Sequence, residues 1–227
     1  MTDDILGGLY PFMDSDELRH KRDKSEALRN SVIQKAAESV SVKQQFFAAN
    51  SDLLIEIATA LADTYTLGGR LLCAGNGGSS CDAAHLSLEF MHPVTAGRPA
   101  LPAINLSSDN AMITAIANDV GFDHVLPRQL GAIGQPNDLL VVFSTSGCSS
   151  NISSACEKAH RMGMKVVAFT GNQGGDLAKT PYVDYCLIVE SNSVHRIQEC
   201  HLACYHILWD LVHTLLADQR MRLPGSY

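Results

Sequence analysis

Two segments more than a hundred residues apart carry side chains suited to holding an anion and moving a proton. Gly75-Asn76-Gly77-Gly78-Ser79-Ser80 runs into His85-x-x-x-Glu89, and Arg196-Ile197-Gln198-Glu199-x-His201 ends in His206. The glycines let backbone approach a phosphate or sugar closely, which makes Asn76, Gly77 and Ser79 candidate substrate contacts. His85 and Glu89 lie four residues apart, so a helix would put an imidazole and a carboxylate on one face. Gln198 and His206 are about two helical turns apart and add an amide and a second imidazole. A surface ion pair would account for His85 and Glu89 alone. The closely packing neighbours Ala83, Ala84, Leu86 and Leu88, and the adjacent glycine loop, favour an acid–base role. Together His85, Glu89, Gln198 and His206 offer two nitrogens and two oxygens to a divalent metal. A phosphate anchor joined to proton-transfer groups is the equipment of an aldose–ketose isomerase of sugar phosphates.

A third segment, Ser144-Thr145-Ser146-Gly147-Cys148-Ser149, follows an apolar run and precedes a helical pattern. Its hydroxyls and the unpaired N–H groups of the helix start converge, which suits a phosphate better than an ordinary serine-rich turn. The glycine loop has no Walker lysine. It also has Ser80 where a dinucleotide fingerprint needs its third glycine, so no nucleotide cofactor is expected.

The elements that must position these groups can be read from periodicity. Residues 1–24 form an irregular arm, flexible or packed on a partner, and residues 25–227 form a single domain. It opens with a helical hairpin, Ser25 to about Asn50 and then Ser51 to about Tyr65, with Ser51 as the second N-cap. Five short apolar strands then alternate with helices, beginning at Arg70, Leu101, Asp138, Lys165 and Tyr185, and the last helix starts near Val194. Continuous apolar strands alternating with helices predict an α/β fold with a five-stranded parallel sheet covered on both faces. Right-handed crossovers put every strand-to-helix loop at one edge of that sheet.

The 227 residues carry a formal net charge of −7, with no basic face to attract nucleic acid. No apolar run approaches the ~20 residues that cross a bilayer, and the acidic start carries no signal-type core. Seven cysteines, an odd number set within apolar patterns, read as reduced thiols in a cytoplasmic protein. Cys200-x-x-x-Cys204 lacks the second pair that a structural zinc site needs.

Gly-Asn-Gly-Gly-Ser, His-x-x-x-Glu, Asn-Asp-x-Gly-Phe at 118–122, Ser-Thr-Ser-Gly-x-Ser, Thr-Gly-x-x-Gly-Gly and Arg-Ile-Gln-Glu-x-His occur in that order. The chain thereby resembles the phosphoheptose isomerases of the sugar isomerase (SIS) fold, from about Ser25 to Ala217. That resemblance implies a three-layer αβα domain and a homotetramer with active sites shared between subunits. It implies conversion of sedoheptulose 7-phosphate to D-glycero-D-manno-heptose 7-phosphate through an enediol, with Glu89 and His206 as the acid–base pair. Ser79, Ser144, Ser146 and Ser149 would hold the phosphate, and Asn76, Thr145 and Gln198 would position the sugar, with Asn118 and Asp119 also at the substrate. Some members carry zinc on residues matching His85, Glu89, Gln198 and His206.

Two departures bear on the sugar: Cys148 stands where many members have Asn, and His195 where certain members have an assisting Asp. A longer ketose, such as an octulose 8-phosphate, is therefore an open alternative. A non-catalytic relative, the replication-initiator-associating protein, shares the fold as a binding scaffold without the acid–base pair. Glu89 and His206 are both present here, which favours catalysis.

Overall fold

The computed structural model describes the backbone of residues 21–221 and the side chains of residues 25–217. Of the expected arm, residues 1–20 lie outside the described residues, and the remainder already belongs to a helix. The chain forms two units, Met1–Glu38 and Ser39–Tyr227, and every candidate site residue belongs to the second.

Helix α1 spans Lys21–Thr66 as one element, in place of the expected hairpin. No glycine or proline interrupts it, and the polar residues at the expected break bond back onto the helix itself. Asn50 Nδ2 donates to Phe46 O and Ser51 Oγ to Phe47 O, both at 2.9 Å, so Ser51 continues the helix rather than capping a second one.

There follow β1 (Leu71–Gly75), α2 (Gly78–Met91), β2 (Ala103–Asn105), α3 (Asn110–Val120) and a 3₁₀ turn (Phe122–His124). The rest is α4 (Val125–Ile133), β3 (Leu139–Ser144), α5 (Ser150–Arg161), β4 (Lys165–Gly171), β5 (Tyr185–Val189) and α6 (Val194–Met221). All five strands pair in parallel in the order β2-β1-β3-β4-β5. Strand side chains alternate between two apolar layers, as a period of two requires. Leu71, Cys73, Val141, Phe143 and Val167 pack with Leu54 of α1, Phe90 of α2 and Tyr205 of α6. Leu72, Ala74, Leu140, Val142 and Val166 pack with Leu126 of α4 and Ile152 and Ala159 of α5. The result is the expected three-layer αβα sandwich.

At the amino ends of the strands, Arg70 donates to the buried Asp138 carboxylate through its backbone N (2.8 Å), Nε (3.2 Å) and Nη2 (2.7 Å), pinning β1 to β3. The strand order reverses beside β1, with β2 on one side and β3, β4 and β5 on the other. Such a switch opens a crevice at the carboxyl ends of β1 and β3. The glycine loop leaves β1 at that edge and the serine-rich loop leaves β3.

Candidate active site

The glycine loop turns sharply enough to start α2 at once. Gly77 occupies the N-cap with φ 53° and ψ −125°, a conformation that favours glycine. A Cβ on Gly75 would stand 2.3 Å from Ser79 O, and one on Gly78 would stand 2.4 Å from Gln198 Nε2. The loop is thus pressed against its own helix and against the amide of Gln198. Ser107, just past β2, braces it by accepting from Gly75 N (3.1 Å) and donating to Gly75 O (2.8 Å).

The serine-rich loop is folded on itself and backed by the loop after β4. Gly147 N donates to Ser144 Oγ (3.2 Å) and Cys148 N to Ser146 Oγ (3.3 Å). Gly147, at φ 66°, lies so close to Gly174 that a Cβ would stand 2.0 Å from Gly174 O. Asp176 N and Leu177 N donate to Gly147 O from the other side. Ser149 is the N-cap of α5, and its hydroxyl makes no capping bond. The two loops are joined by reciprocal amides: Asn76 Nδ2 donates to Asn151 Oδ1 (2.8 Å) and Asn151 Nδ2 to Asn76 Oδ1 (2.9 Å).

Packing of α2 on α6 brings the acid–base candidates together. One ligand atom from each of His85, Glu89 and His206 lies within 4.8 Å of the others. His85 Nε2 is 3.1 Å from Glu89 Oε1, and the His85 and His206 rings meet edge to face at 5.1 Å. His85 and Glu89 are part-buried, whereas His206 is exposed. The buried Tyr205 hydroxyl reaches His85 Nδ1 at 2.9 Å, and Trp209 Nε1 donates to Glu89 O at 2.8 Å. One turn before His85, Asp82 is buried with Oδ2 unpartnered. Burial pushes its carboxyl up to about 6, opposed by nearby His85.

The structure therefore unites His85, Glu89 and His206, sets Gln198 against Gly78, and links Asn76 to the serine-rich loop. Ser79 is buried in the first turn of α2, Thr145 is part-buried, and Ser146 is exposed. Asn118 and Asp119 sit exposed near the end of α3, where Asn118 Nδ2 donates to Asp119 Oδ1 (2.9 Å). Asp123 ties the following 3₁₀ turn to α5 by accepting from Ser150 Oγ (2.5 Å). Tyr205, Asp82, Asn151, Ser107 and Asp123 were not marked by sequence reasoning. Tyr205 offered a signal, lying seven residues beyond Gln198 and hence on nearly the same helix face. Cys148 and His195, the departures from the family pattern, are both exposed. Cys200 and Cys204 are buried free thiols, with burial pushing Cys200 up to about 12, as inert core cysteines behave.

His85, Glu89 and His206 present imidazole and carboxylate donors, the set a zinc ion accepts while keeping a position open. Asp82, whose charge interacts with that of His85, adds negative potential that a cation would offset. The residues present thus fit a divalent cation.

The SIS domain family matches residues 29–171. The phosphoheptose isomerase of Thermodesulfovibrio yellowstonii is 43% identical over 181 residues, covering 80% of this chain and 89% of that protein. That of Chlorobaculum tepidum is 41% identical over 188 residues, covering 82% and 89%. Among solved structures, the phosphoheptose isomerase of Francisella tularensis superposes with a TM-score of 0.77 at 35% identity, covering 82% of this chain and 97% of that one. The enzyme of Neisseria gonorrhoeae gives 0.77 at 34%, covering 82% and 99%.

Proposed function

Because the chain belongs to the phosphoheptose isomerase family, within the wider SIS domain family, it is an isomerase of a sugar phosphate, and we propose that it interconverts sedoheptulose 7-phosphate and D-glycero-D-manno-heptose 7-phosphate. One observation carries this reading: the clustering of His85, Glu89 and His206 where α2, which starts from the glycine loop, packs on α6.

Ser79, Ser144, Ser146 and Ser149 hold the phosphate, and Asn76, Gly77, Thr145, Gln198, Asn118 and Asp119 orient the sugar. Glu89 takes a proton from C1 of the ketose while His206 gives one to O2, which yields the enediol. Return of a proton from Glu89 to C2, with His206 accepting the O1 proton, completes the aldose with no net gain or loss of protons. Zinc held by His85, Glu89, Gln198 and His206 would polarise the substrate carbonyl when bound.

The enzyme is a cytoplasmic homotetramer with shared active sites in this reading. The exposed apolar side chains Val32, Val40 and Ile55 along α1 support burial against further copies, and the free thiols support a reducing compartment. No helix among the described residues is long and apolar enough to cross a membrane.

Carbon NMR of the protein with sedoheptulose 7-phosphate is expected to show equilibration with the aldoheptose phosphate. Turnover of an octulose 8-phosphate in its place would assign a longer ketose. Binding of either sugar without turnover would overturn the isomerase mechanism.

A further inference from the structure

We propose that Tyr205 is a positioning residue that fixes which ring nitrogen of His85 carries the proton, donating to Nδ1 in the metal-free site and accepting from Nδ1 when Nε2 faces a metal. The inference rests on the acid–base and metal reading above and adds to it a residue outside the assigned set.

Tyr205 is 1% exposed, and its ring is held edge to face against Phe143 (5.9 Å), His85 (5.4 Å) and His206 (5.0 Å). Its hydroxyl is thereby delivered to one atom, His85 Nδ1, at 2.9 Å. The opposite nitrogen, Nε2, is 3.1 Å from Glu89 Oε1. An ionised carboxylate only accepts, so Nε2 carries the hydrogen, a neutral ring keeps its lone pair at Nδ1, and the tyrosine must donate. A cation among His85, Glu89 and His206 reverses these demands. Nδ1 already meets the Tyr205 hydroxyl, so His85 would offer a cation its Nε2 lone pair and carry the ring hydrogen at Nδ1. A hydroxyl both donates and accepts, so Tyr205 serves either arrangement without moving. A carboxylate at the same place would serve only the second, and a phenyl ring neither.

Tyr205→Phe keeps the ring and removes only the hydroxyl, and its melting transition reports whether the fold is retained. Two readouts decide the matter in protein with nitrogen-15-labelled imidazoles: the His85 ring-nitrogen NMR signals, identified by their loss in His85→Gln, and zinc affinity by competition with a chromogenic chelator. In the wild type, the metal-free His85 should be protonated at Nε2, and at Nδ1 once zinc is added. The Tyr205→Phe variant should show mixed tautomers when metal-free and bind zinc about 10–100-fold more weakly. A folded variant with wild-type nitrogen signals, or with wild-type zinc affinity, would overturn the proposal. Wild-type protein that takes up no zinc would end the metal reading, and the metal-free nitrogen signals would then decide Tyr205 alone.

Discussion

Glu89 and Ser146 stand at opposite ends of the substrate in this account, so substitution should separate chemistry from anchoring. Glu89→Gln removes the base at nearly constant shape, and steady-state kinetics should give kcat about 10²–10⁴-fold lower with KM little changed. Near-normal kcat would take the base elsewhere. Ser146→Ala removes one hydroxyl from the proposed phosphate contact, which would persist through the reaction. KM for the sugar phosphate should rise about tenfold while kcat stays near wild type; an unchanged KM would move the phosphate. His85, Glu89 and His206 were legible from sequence because spacing on a helix encodes a face. The spacing of Tyr205 from Gln198 gave its helix face but not its partner, because the contact with His85 depends on how α2 meets α6 across 120 residues of chain. The Asn76–Asn151 pair was hidden for the same reason: it bridges two loops that only the folded sheet brings side by side.

Helix α6 is anchored to the sheet by His201, whose Nε2 donates to Thr170 O at 3.0 Å while Nδ1 has no partner. Burial lowers its pKa from the ordinary 6.5 to about 4, so the unfolded chain takes up this proton first as pH falls. Its contribution to stability is therefore full above about pH 6.5 and is lost as pH falls towards 4, amounting to about 2 kcal/mol by pH 5. Asp82, raised to about 6, works in the opposite direction over an overlapping range. The informative comparison is the wild type against His201→Gln, in which Asp82 is unchanged. Between pH 7 and pH 5 the wild-type denaturation free energy should fall further than that of the variant, and equal falls would contradict the assignment. Gly78→Ala tests the contact between α2 and the first turn of α6: its Cβ would displace the Gln198 amide, and kcat/KM should drop while the melting temperature stays close to wild type. The strands and α6 could be read from sequence because their apolar runs have one physical solution. The expected break in α1 could not be resolved, because Ser and Asn bond equally well to a new helix start or to the carbonyls four residues back.

The parallel connectivity put all candidate loops at one edge, and sequence alternation was enough to reveal that. Sequence did not give the order of the strands, since β1, β3 and β4 are almost uniformly buried and apolar and so look interchangeable. That order makes β1 and β3 neighbours and turns the glycine and serine-rich loops into the two walls of one crevice. The proposed sharing of sites between subunits belongs to this scale too: light scattering should give a tetrameric mass, and a monomer with full activity would contradict it. The central claim is that Glu89 carries a proton between C1 and C2 through an enediol. Incubation with sedoheptulose 7-phosphate in D2O, followed by NMR, tests it most directly. Deuterium is expected at C2 of the aldoheptose phosphate, with no such exchange in Glu89→Gln. An aldose formed without solvent deuterium at C2, or exchange that survives the substitution, would contradict it.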